Sequence, residues 1–520
     1  MPVETNLERE FKFDVPADFE APDLRPVVGR TERLPEQHLT TTYYDTSDLR
    51  LWAQGITLRH RQEAEGDAAT TGPGKWTLKM PEGDGGEEAS RTELSWKGGP
   101  GEVPVEAAGV IAGLVRRTRL EPVVALSTDR RRLLLHDPER AWAEIDDDLV
   151  TVASGRRQGA RFRQIEVELL GREEEGVAAV LRQLRRAGAI PGGGSKFALA
   201  AGLDGTGAGS GADVGDGAPA PGVVDVVRAI LGADLDRLLA WDFRLRVPDA
   251  DGDAAGIDVE AVHQARVAMR RLRSDLRTLS AVLDPVWSHH VQADLKWVGG
   301  QLGRLRDEDV LAERIAAHRG DEDEDEDAVD ELLRLLRADR HLGASELCET
   351  LASDRYVELL DRLQAAVRTP LLSAGDGQHP ADASLEDTLT SLVAARWRAV
   401  RNEIDDLGPA PTDPALHQVR ILAKRLRYAA EATGPYLGKR ARRLAAAAKG
   451  LQSVLGDLND AANASRTLRE LASHPSVTPA VAFVAGHIAG KAEGEAVRLR
   501  NRWRKAANEL WSGQACAWLE

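Results

Sequence analysis

With 520 residues the chain is too long for one ordinary core, so two or three domains are expected. An apolar fraction of 42% suits a globular protein rather than a disordered or membrane-embedded one. The formal net charge of -16 argues against a basic nucleic-acid binder, although the acidic run at residues 321–327 supplies seven of those negative charges.

In chain order, short alternating segments come first: residues 7–13, 56–61, 75–80, 91–96, 123–135, 142–150 and 162–170. Their period of two, with turn residues between them, predicts an antiparallel sheet or barrel. A helical stretch at 173–187 interrupts the set. Residues 202–222, rich in Gly, Ala, Asp and Pro, read as a flexible linker. Beyond them the period changes to 3.6 in long segments rich in Ala, Leu and Arg, which predicts an all-helical bundle. The expected division is therefore 1–201, a linker at 202–222, and 223–515.

The helical half repeats itself. Val262-His263-Gln264-Ala265-Arg266 resembles Leu416-His417-Gln418-Val419-Arg420, and each is followed by a basic run, Arg270-Arg271-Leu272-Arg273 and Lys424-Arg425-Leu426-Arg427. Leu302-Gly303-Arg304-Leu305-Arg306-Asp307 then resembles Leu455-Gly456-Asp457-Leu458-Asn459-Asp460 at nearly the same offset. Two related helical hairpins are expected, with the acidic run a solvated loop between them. Cys348 and Cys516 lie far apart without CxxC spacing, so neither a disulfide framework nor a cysteine zinc site is indicated. The N-terminus has no signal-peptide pattern and no apolar stretch is long enough to span a bilayer, so the expected location is the cytoplasm, with no membrane partner.

Residues two apart on a strand share a face. Glu8, Glu10 and Lys12 therefore point one way, as do Arg59 and Arg61, Thr77 and Lys79, Arg91 and Glu93, Arg130 and Arg132, Glu144 and Asp146, and Glu166 and Glu168. Their opposite-parity neighbours Leu58, Leu78, Leu94, Ile145, Val167 and Leu169 are apolar. Any one such pair is ordinarily a solvent-facing pair. Seven in one small domain, sorted by sign, suggest a sheet closed around its charges. Carboxylates suit a hard divalent cation, and Arg and Lys suit phosphate oxygens. The run Arg130-Arg131-Arg132 allows either register, and Asp147 and Asp148 follow Asp146.

The strand Glu8-x-Glu10-x-Lys12 resembles the signature of the CYTH superfamily of triphosphate tunnel metalloenzymes. Tyr43-Tyr44-Asp45-Thr46, Leu58-Arg59-His60-Arg61, Trp76-Thr77-Leu78-Lys79, Arg91-x-Glu93, Ile165-Glu166-Val167-Glu168 and Ser195-Lys196-Phe197 follow in that family's order over residues 1–200. The resemblance implies an eight-stranded antiparallel tunnel that binds triphosphate. It assigns Glu8, Glu10, Asp146, Glu166 and Glu168 to Mg²⁺ or Mn²⁺, and Lys12, Arg59, Arg61, Lys79, Arg91, Arg130, Arg132 and Lys196 to phosphates. Glu8, Glu10 and Lys12 carry the catalytic signature. The implied chemistry has one metal ion orienting the triphosphate and a second assisting attack by water.

At about 100° per residue, His263, Arg266, Arg270, Arg273 and Arg277 line one helix face, and His417, Arg420, Lys424 and Arg427 repeat it. Neighbouring like charges on a helix repel by a few tenths of a kcal/mol per pair, which a polyanion would relieve. These helices and the later Leu-Gly-x-Leu-x-Asp segments resemble the CHAD domain, a helical domain associated with inorganic polyphosphate. Arg396, Arg398, Arg401, Lys439, Arg440, Arg442 and Arg443 are candidates to extend that surface. Neither histidine has HxxxH or HxxE spacing, so a metal role ranks lower.

Three functions are compatible with this sequence. One is a metal-dependent hydrolase of inorganic triphosphate whose helical half binds polyphosphate. Another is a polyphosphate-binding protein without turnover. The third is a CYTH enzyme acting on thiamine triphosphate or on ATP as an adenylyl cyclase. Intact acidic pairs favour an enzyme over a binder. The tunnel residues do not separate the substrates, since all share a triphosphate, and the preference for the inorganic one comes from the family resemblance.

Overall fold

The structure, a computed structural model, describes residues 4–64, 73–81, 88–137, 140–171, 176–192, 194–203, 221–247, 256–319, 325–373, 384–475, 477–511 and 513–519. The chain divides into two compact units, Met1–Asp216 and Gly217–Glu520. Most of the stretch read as a linker, 204–220, lies outside the described residues.

In the first unit the described residues form ten strands: β1 (Glu4–Val15), β2 (Arg30–Arg33), β3 (Gln37–Asp45), β4 (Thr57–Ala64), β5 (Lys75–Pro81), β6 (Glu88–Lys97), β7 (Glu121–His136), β8 (Ala141–Ser154), β9 (Arg161–Leu169) and β10 (Ile190–Pro191). Eight of them close an antiparallel barrel in the order β1-β6-β5-β4-β3-β7-β8-β9, and β9 pairs back onto β1. β2 extends β7 and β10 extends β1. All seven expected strands are present. β3 escaped the alternation test because Thr40, Thr41 and Thr42 break any apolar period.

The pleat separates two chemistries. On β1, β7, β8 and β9 the outward residues Phe13, Val15, Leu135, Ala143, Ile145, Ile165, Val167 and Leu169 form a core. The helix Val177–Arg186 covers it with Val177, Val180, Leu181 and Leu184. That helix lies within the expected 173–187, of which 173–175 are outside the described residues. Burying side chains of this size contributes about 1.5–3 kcal/mol each. The alternate residues are left facing the barrel interior.

The second unit is helical. The first basic helix, Val259–Thr278, pairs with Pro285–Ala316, and the second, Asp413–Leu437, pairs with Lys439–Ala472; the two basic helices also pack on each other. These are the two hairpins of the repeat. Each basic helix starts at a side chain that takes up a free backbone N–H, Asp258 for Ala261 and Thr412 for Ala415. Ala261, Val262, Ala265, Met269, Leu272 and Leu276 bury one stripe of the first helix and leave the arginine stripe outside it. No described helix is long and apolar enough to cross a membrane.

The acidic run is not wholly a loop. Asp325 caps the helix Glu326–Ala352 by accepting N–H bonds from Asp327 and Ala328, and Glu326 and Asp327 occupy its first turn. Negative charge is stabilising at that end of a helix dipole. Residues 321–324 lie outside the described set.

Candidate functional site

Strand register places the charges. Glu10 stands opposite Glu168, Lys12 opposite Glu166, and Asp146 between Arg132 and Glu166. Glu8 stands opposite Arg91, and Glu93 opposite Lys79. The two ambiguous runs resolve by parity. Arg130 and Arg132 face inward and Arg131 faces out toward Glu36. Asp146 and Asp148 face inward, while Asp147 faces out and takes Arg163 through two hydrogen bonds of 2.8 Å.

Inside, most cations lean on a carboxylate. Lys79 Nζ donates to both Glu8 oxygens, at 2.8 and 2.6 Å, and lies 2.5 Å from Glu93. Lys12 lies 2.9 Å from Glu10 and 3.3 Å from Glu166. Arg130 holds Asp148 bidentately at 2.8 and 2.7 Å and also contacts Asp146. Lys196 bridges Asp148 at 2.7 Å and Glu166 at 2.5 Å. Arg132 pairs with Glu144. Asp148 is fully buried, so these pairs are what keep a charge there tolerable.

The balance is not even everywhere. Burial, then Glu8, Glu93 and Glu10, push the Glu168 carboxyl up to about 7 against the pull of Lys79. Burial likewise raises Asp146; Arg130 opposes, and Asp148, Glu166 and Glu144 reinforce the rise. Burial would raise Glu93 as well, but Lys79 and Arg59 outweigh it and hold it below the ordinary range. At the basic pole, burial and then Arg59 and Arg130 pull Arg61 down to about 10. Arg59 Nε is buried without a hydrogen-bond partner. The interior thus has an acidic pole around Glu168 and a basic pole around Arg59 and Arg61.

The interior ends in apolar residues. Tyr43, Val124, Leu126, Val150 and Val152 continue the inward faces and pack on Phe197, Ala198, Ala200 and Ala201 of the helix Lys196–Ala201. Lys196 is the first residue of this helix, which explains how a segment outside the strands reaches Asp148. Asp45 anchors the turn after β3 by accepting N–H bonds from Thr46 at 2.7 Å and from Leu51 and Trp52 at 3.0 Å.

Among the described residues, no three carboxylate, imidazole or thiol groups converge to ligate one ion as they stand. The donor set still fits a divalent cation. Mg²⁺ takes one or two carboxylates and completes its shell with water and phosphate oxygens. Asp146 Oδ1 is buried without a hydrogen-bond partner, and the crowding at Glu168 is of the kind a cation relieves.

In the helical unit the repeat builds a second charged site. Arg266 donates to Asp307 at 3.1 Å, and Arg420 lies beside Asp460. Gly303 and Gly456 lie under these arginines: a β-carbon would come 3.9 Å from the Arg266 guanidinium and 3.7 Å from Arg420 Nε, so a longer side chain would displace them. His417 Nδ1 hydrogen-bonds Asn459 at 2.6 Å, and His263 lies near Arg306. Lys424 is half-buried; desolvation first, then Arg270, Arg420 and Arg266, pull its ammonium down to about 6 against Asp460.

The comparisons cover both units. The family model for the CYTH domain matches residues 6–196, and that for the CHAD domain matches 229–469. Two uncharacterized proteins of Mycobacterium tuberculosis, from strains CDC 1551 and H37Rv, are each 30% identical to the chain over 98% of it and 98% of their own length. The chain belongs to the CYTH–CHAD family. Among solved structures, the CHAD domain from Ricinus communis is 26% identical, covering 55% of this chain and 91% of that one at a TM-score of 0.44. PptA from Streptomyces chartreusis is 23% identical, covering 55% and 99% at 0.43. HpAC1 from Hippeastrum, described as a putative adenylyl cyclase with a dominant triphosphatase activity, is 18% identical, covering 38% and 96% at 0.25.

Within this CYTH–CHAD chain the expected residues separate as follows. Glu8, Glu10, Lys12, Arg59, Lys79, Arg130, Arg132, Asp146, Glu166 and Lys196 all make ion pairs with one another or with interior carboxylates. Arg61, Arg91 and Glu168 share their inward faces. In the CHAD part, Arg266, Arg270, Arg420 and Lys424 gather with His263, and Arg270 also donates to Tyr428 at 3.2 Å. Arg427 does not join them: it pairs with Glu431 at 2.6 Å. Arg273 turns to Arg277 and Arg425 instead. Arg440 is taken by Glu386 and Trp518, and Arg401 stacks over Trp397. Sequence reasoning left Asp148, Glu93 and Glu144 out of the site, although their parity matches Asp146 and Arg91 and was the signal that finds them. It also missed Asp307 and Asp460, which the repeat itself marks.

Proposed function

We propose that the barrel hydrolyses inorganic triphosphate with a divalent cation and that the helical unit holds longer inorganic polyphosphate. The observation that carries this reading is the interior's division into an acidic pole at Glu168 and a basic pole at Arg59 and Arg61, on which a metal-bound phosphate chain has complementary charge. Glu8, Glu10, Asp146, Glu166 and Glu168 would hold Mg²⁺ or Mn²⁺, which when bound neutralises phosphate charge and lowers the barrier to attack by water.

The protein's own residues position the chain. Lys12, Lys79, Arg130 and Lys196 exchange a carboxylate partner for phosphate oxygens, an exchange between like charge-assisted bonds. Arg59 and Arg61 supply donors that no carboxylate saturates. In the reaction a water oxygen bonds to phosphorus, a P–O–P bridge breaks, and diphosphate and phosphate leave. Fixed cations around the departing group stabilise its charge without reorganising. Cys348 and Cys516, neither of them in a disulfide, are in keeping with a reducing cytoplasm.

The test is phosphate release from triphosphate, longer chains, ATP and thiamine triphosphate with Mg²⁺ or Mn²⁺. Triphosphate should turn over fastest, and Glu8→Ala and Glu10→Ala should abolish it. No turnover of any of the four, with neither variant changing metal or triphosphate binding, would end this reading.

A further inference from the structure

Beyond the gathered Arg266, Arg270, Arg420 and Lys424, the first basic helix carries two more arginines on the same stripe, Arg273 and Arg277. They meet Arg425 of the second basic helix and Arg396 of the helix Leu385–Asp405, and the three helices pack on one another. All four side chains are partly buried. Among the described residues, no ion pair joins any of them to a carboxylate. Arg273 Nε and Arg396 Nε are buried and donate to no partner, and Arg396 spends another N–H on the Arg277 carbonyl.

This arrangement is not a by-product of the repeat. Arg271 occupies the position in the first basic helix that Arg425 occupies in the second. Arg271 is answered by Glu431 at 2.9 Å and lies 3.6 Å from Asp234, whereas Arg425 faces Arg277 and Arg396 and, among the described residues, pairs with no carboxylate. The first cluster also has Asp307 and Asp460 to temper it. Half-buried like charges without a counter-charge are costly to hold together, and an anion is the group that removes the cost.

We propose that Arg273, Arg277, Arg396 and Arg425 form a second phosphate seat, so that one linear polyphosphate chain is gripped at two points along the stripe. The proposal rests on reading the helical unit as a polyphosphate binder. Arg266 and Arg277 are eleven residues apart, roughly 16 Å along a helix axis. A chain long enough to reach both seats gains the second contact at high effective concentration, and a shorter one does not. Burial, reinforced at Arg273, Arg396 and Arg425 by neighbouring guanidiniums, pulls all four pKa values below the usual arginine range.

The experiment titrates long-chain polyphosphate onto the full chain and onto Arg277→Gln/Arg425→Gln, without divalent metal and over a series of salt concentrations. The double variant should bind at least about tenfold more weakly, with a log–log salt slope smaller by about 1.4, taking about 0.7 per lost contact to a single-stranded polyanion. Its melting temperature without ligand should be no lower than the parent's, because two repelling charges have gone. Unchanged affinity and slope, while Arg266→Gln/Arg420→Gln weakens binding, would overturn the second seat and leave the reading of the unit intact. A fall in ligand-free melting temperature would overturn it by making the quartet structural. Displacement of polyphosphate by single-stranded DNA at equal phosphate concentration would overturn the ligand class. No polyphosphate binding by the parent chain would remove the reading beneath it.

Discussion

Lys424 should take up a proton when polyphosphate binds. It faces Arg420 on its own helix, Arg266 and Arg270 on the first basic helix, and Asp460 on Lys439–Ala472, and with its burial they bring it to about 6. The free protein at pH 7.5 therefore holds it mostly neutral. A phosphate chain laid across these groups adds opposite charge and returns the ammonium toward its ordinary range near 10.5. Uptake should be close to one proton per site at about pH 7.5 and about a tenth of that at about pH 5, where the group is already charged. Affinity should fall about tenfold, or about 1.4 kcal/mol, for each pH unit above about 6.5 until the bound group itself titrates. The assay is calorimetric titration with long-chain polyphosphate in buffers of different ionisation enthalpy, with EDTA present, and with Lys424→Met as the control. Folding has its own sign. Lys424 binds fewer protons in the folded than in the unfolded chain between about pH 6 and 10.5, so its penalty is complete below that window and is lifted as pH rises through it. Lys424→Met should therefore be more stable than the parent at low pH. Binding heats that do not depend on the buffer anywhere between pH 6 and 9 would refute the argument.

Three further outcomes follow from the geometry. Arg130→Met should cost about 3–5 kcal/mol of folding free energy by leaving buried Asp148 with Lys196 alone, and Arg130→Met/Asp148→Leu should recover most of it; urea denaturation checks both. Glu168→Gln should raise the melting temperature of the metal-free protein by relieving the crowding with Glu8, Glu93 and Glu10, while phosphate release falls on the order of a hundredfold. Gly456→Ala should bind polyphosphate as the parent does and gain up to about 1 kcal/mol of stability from helix propensity, whereas Gly456→Leu should displace Arg420 and weaken binding in the same titration.

The sequence disclosed the barrel because its pleat is chemically sharp. Leu58, Leu78 and Leu94 are fully buried between Arg59, Lys79 and Glu93, so a period of two was visible with no partner strand known. Register was not visible in this way. Arg130-Arg131-Arg132 reads the same in either phase, and only pairing against Asp146, Asp147 and Asp148 settles which residues turn inward. β3 was hidden because its threonines suit a polar interior and therefore show no apolar alternation. The helical site was half legible. Spacing put Arg273 and Arg427 on the same stripes as Arg266 and Arg420, but a stripe says nothing about the helix opposite. Glu431 neutralises Arg427, while Arg396, remote in sequence, joins Arg277.

On the proposed function, the two units would meet phosphate chains with different charge designs. In the barrel, cations and carboxylates are interleaved and nearly all paired, so binding means changing partners inside a largely buried space. Affinity there depends on geometry and on the incoming cation, and bulk salt screens it little. In the helical unit the cations outnumber the nearby acids: Asp307 and Asp460 stand against Arg266, Arg270, Arg420 and Lys424, and among the described residues no carboxylate pairs with Arg273, Arg277, Arg396 or Arg425. Such a surface gains most from a flexible polyanion as densely charged as polyphosphate and loses that gain steeply as salt rises. The first design suits selection of a short substrate with its metal. The second suits retention of a long chain with little regard to where along it contact is made. The presence of both in one chain is intelligible if the helical unit raises the local supply of phosphate chains while the barrel alone decides which phosphate bond is broken.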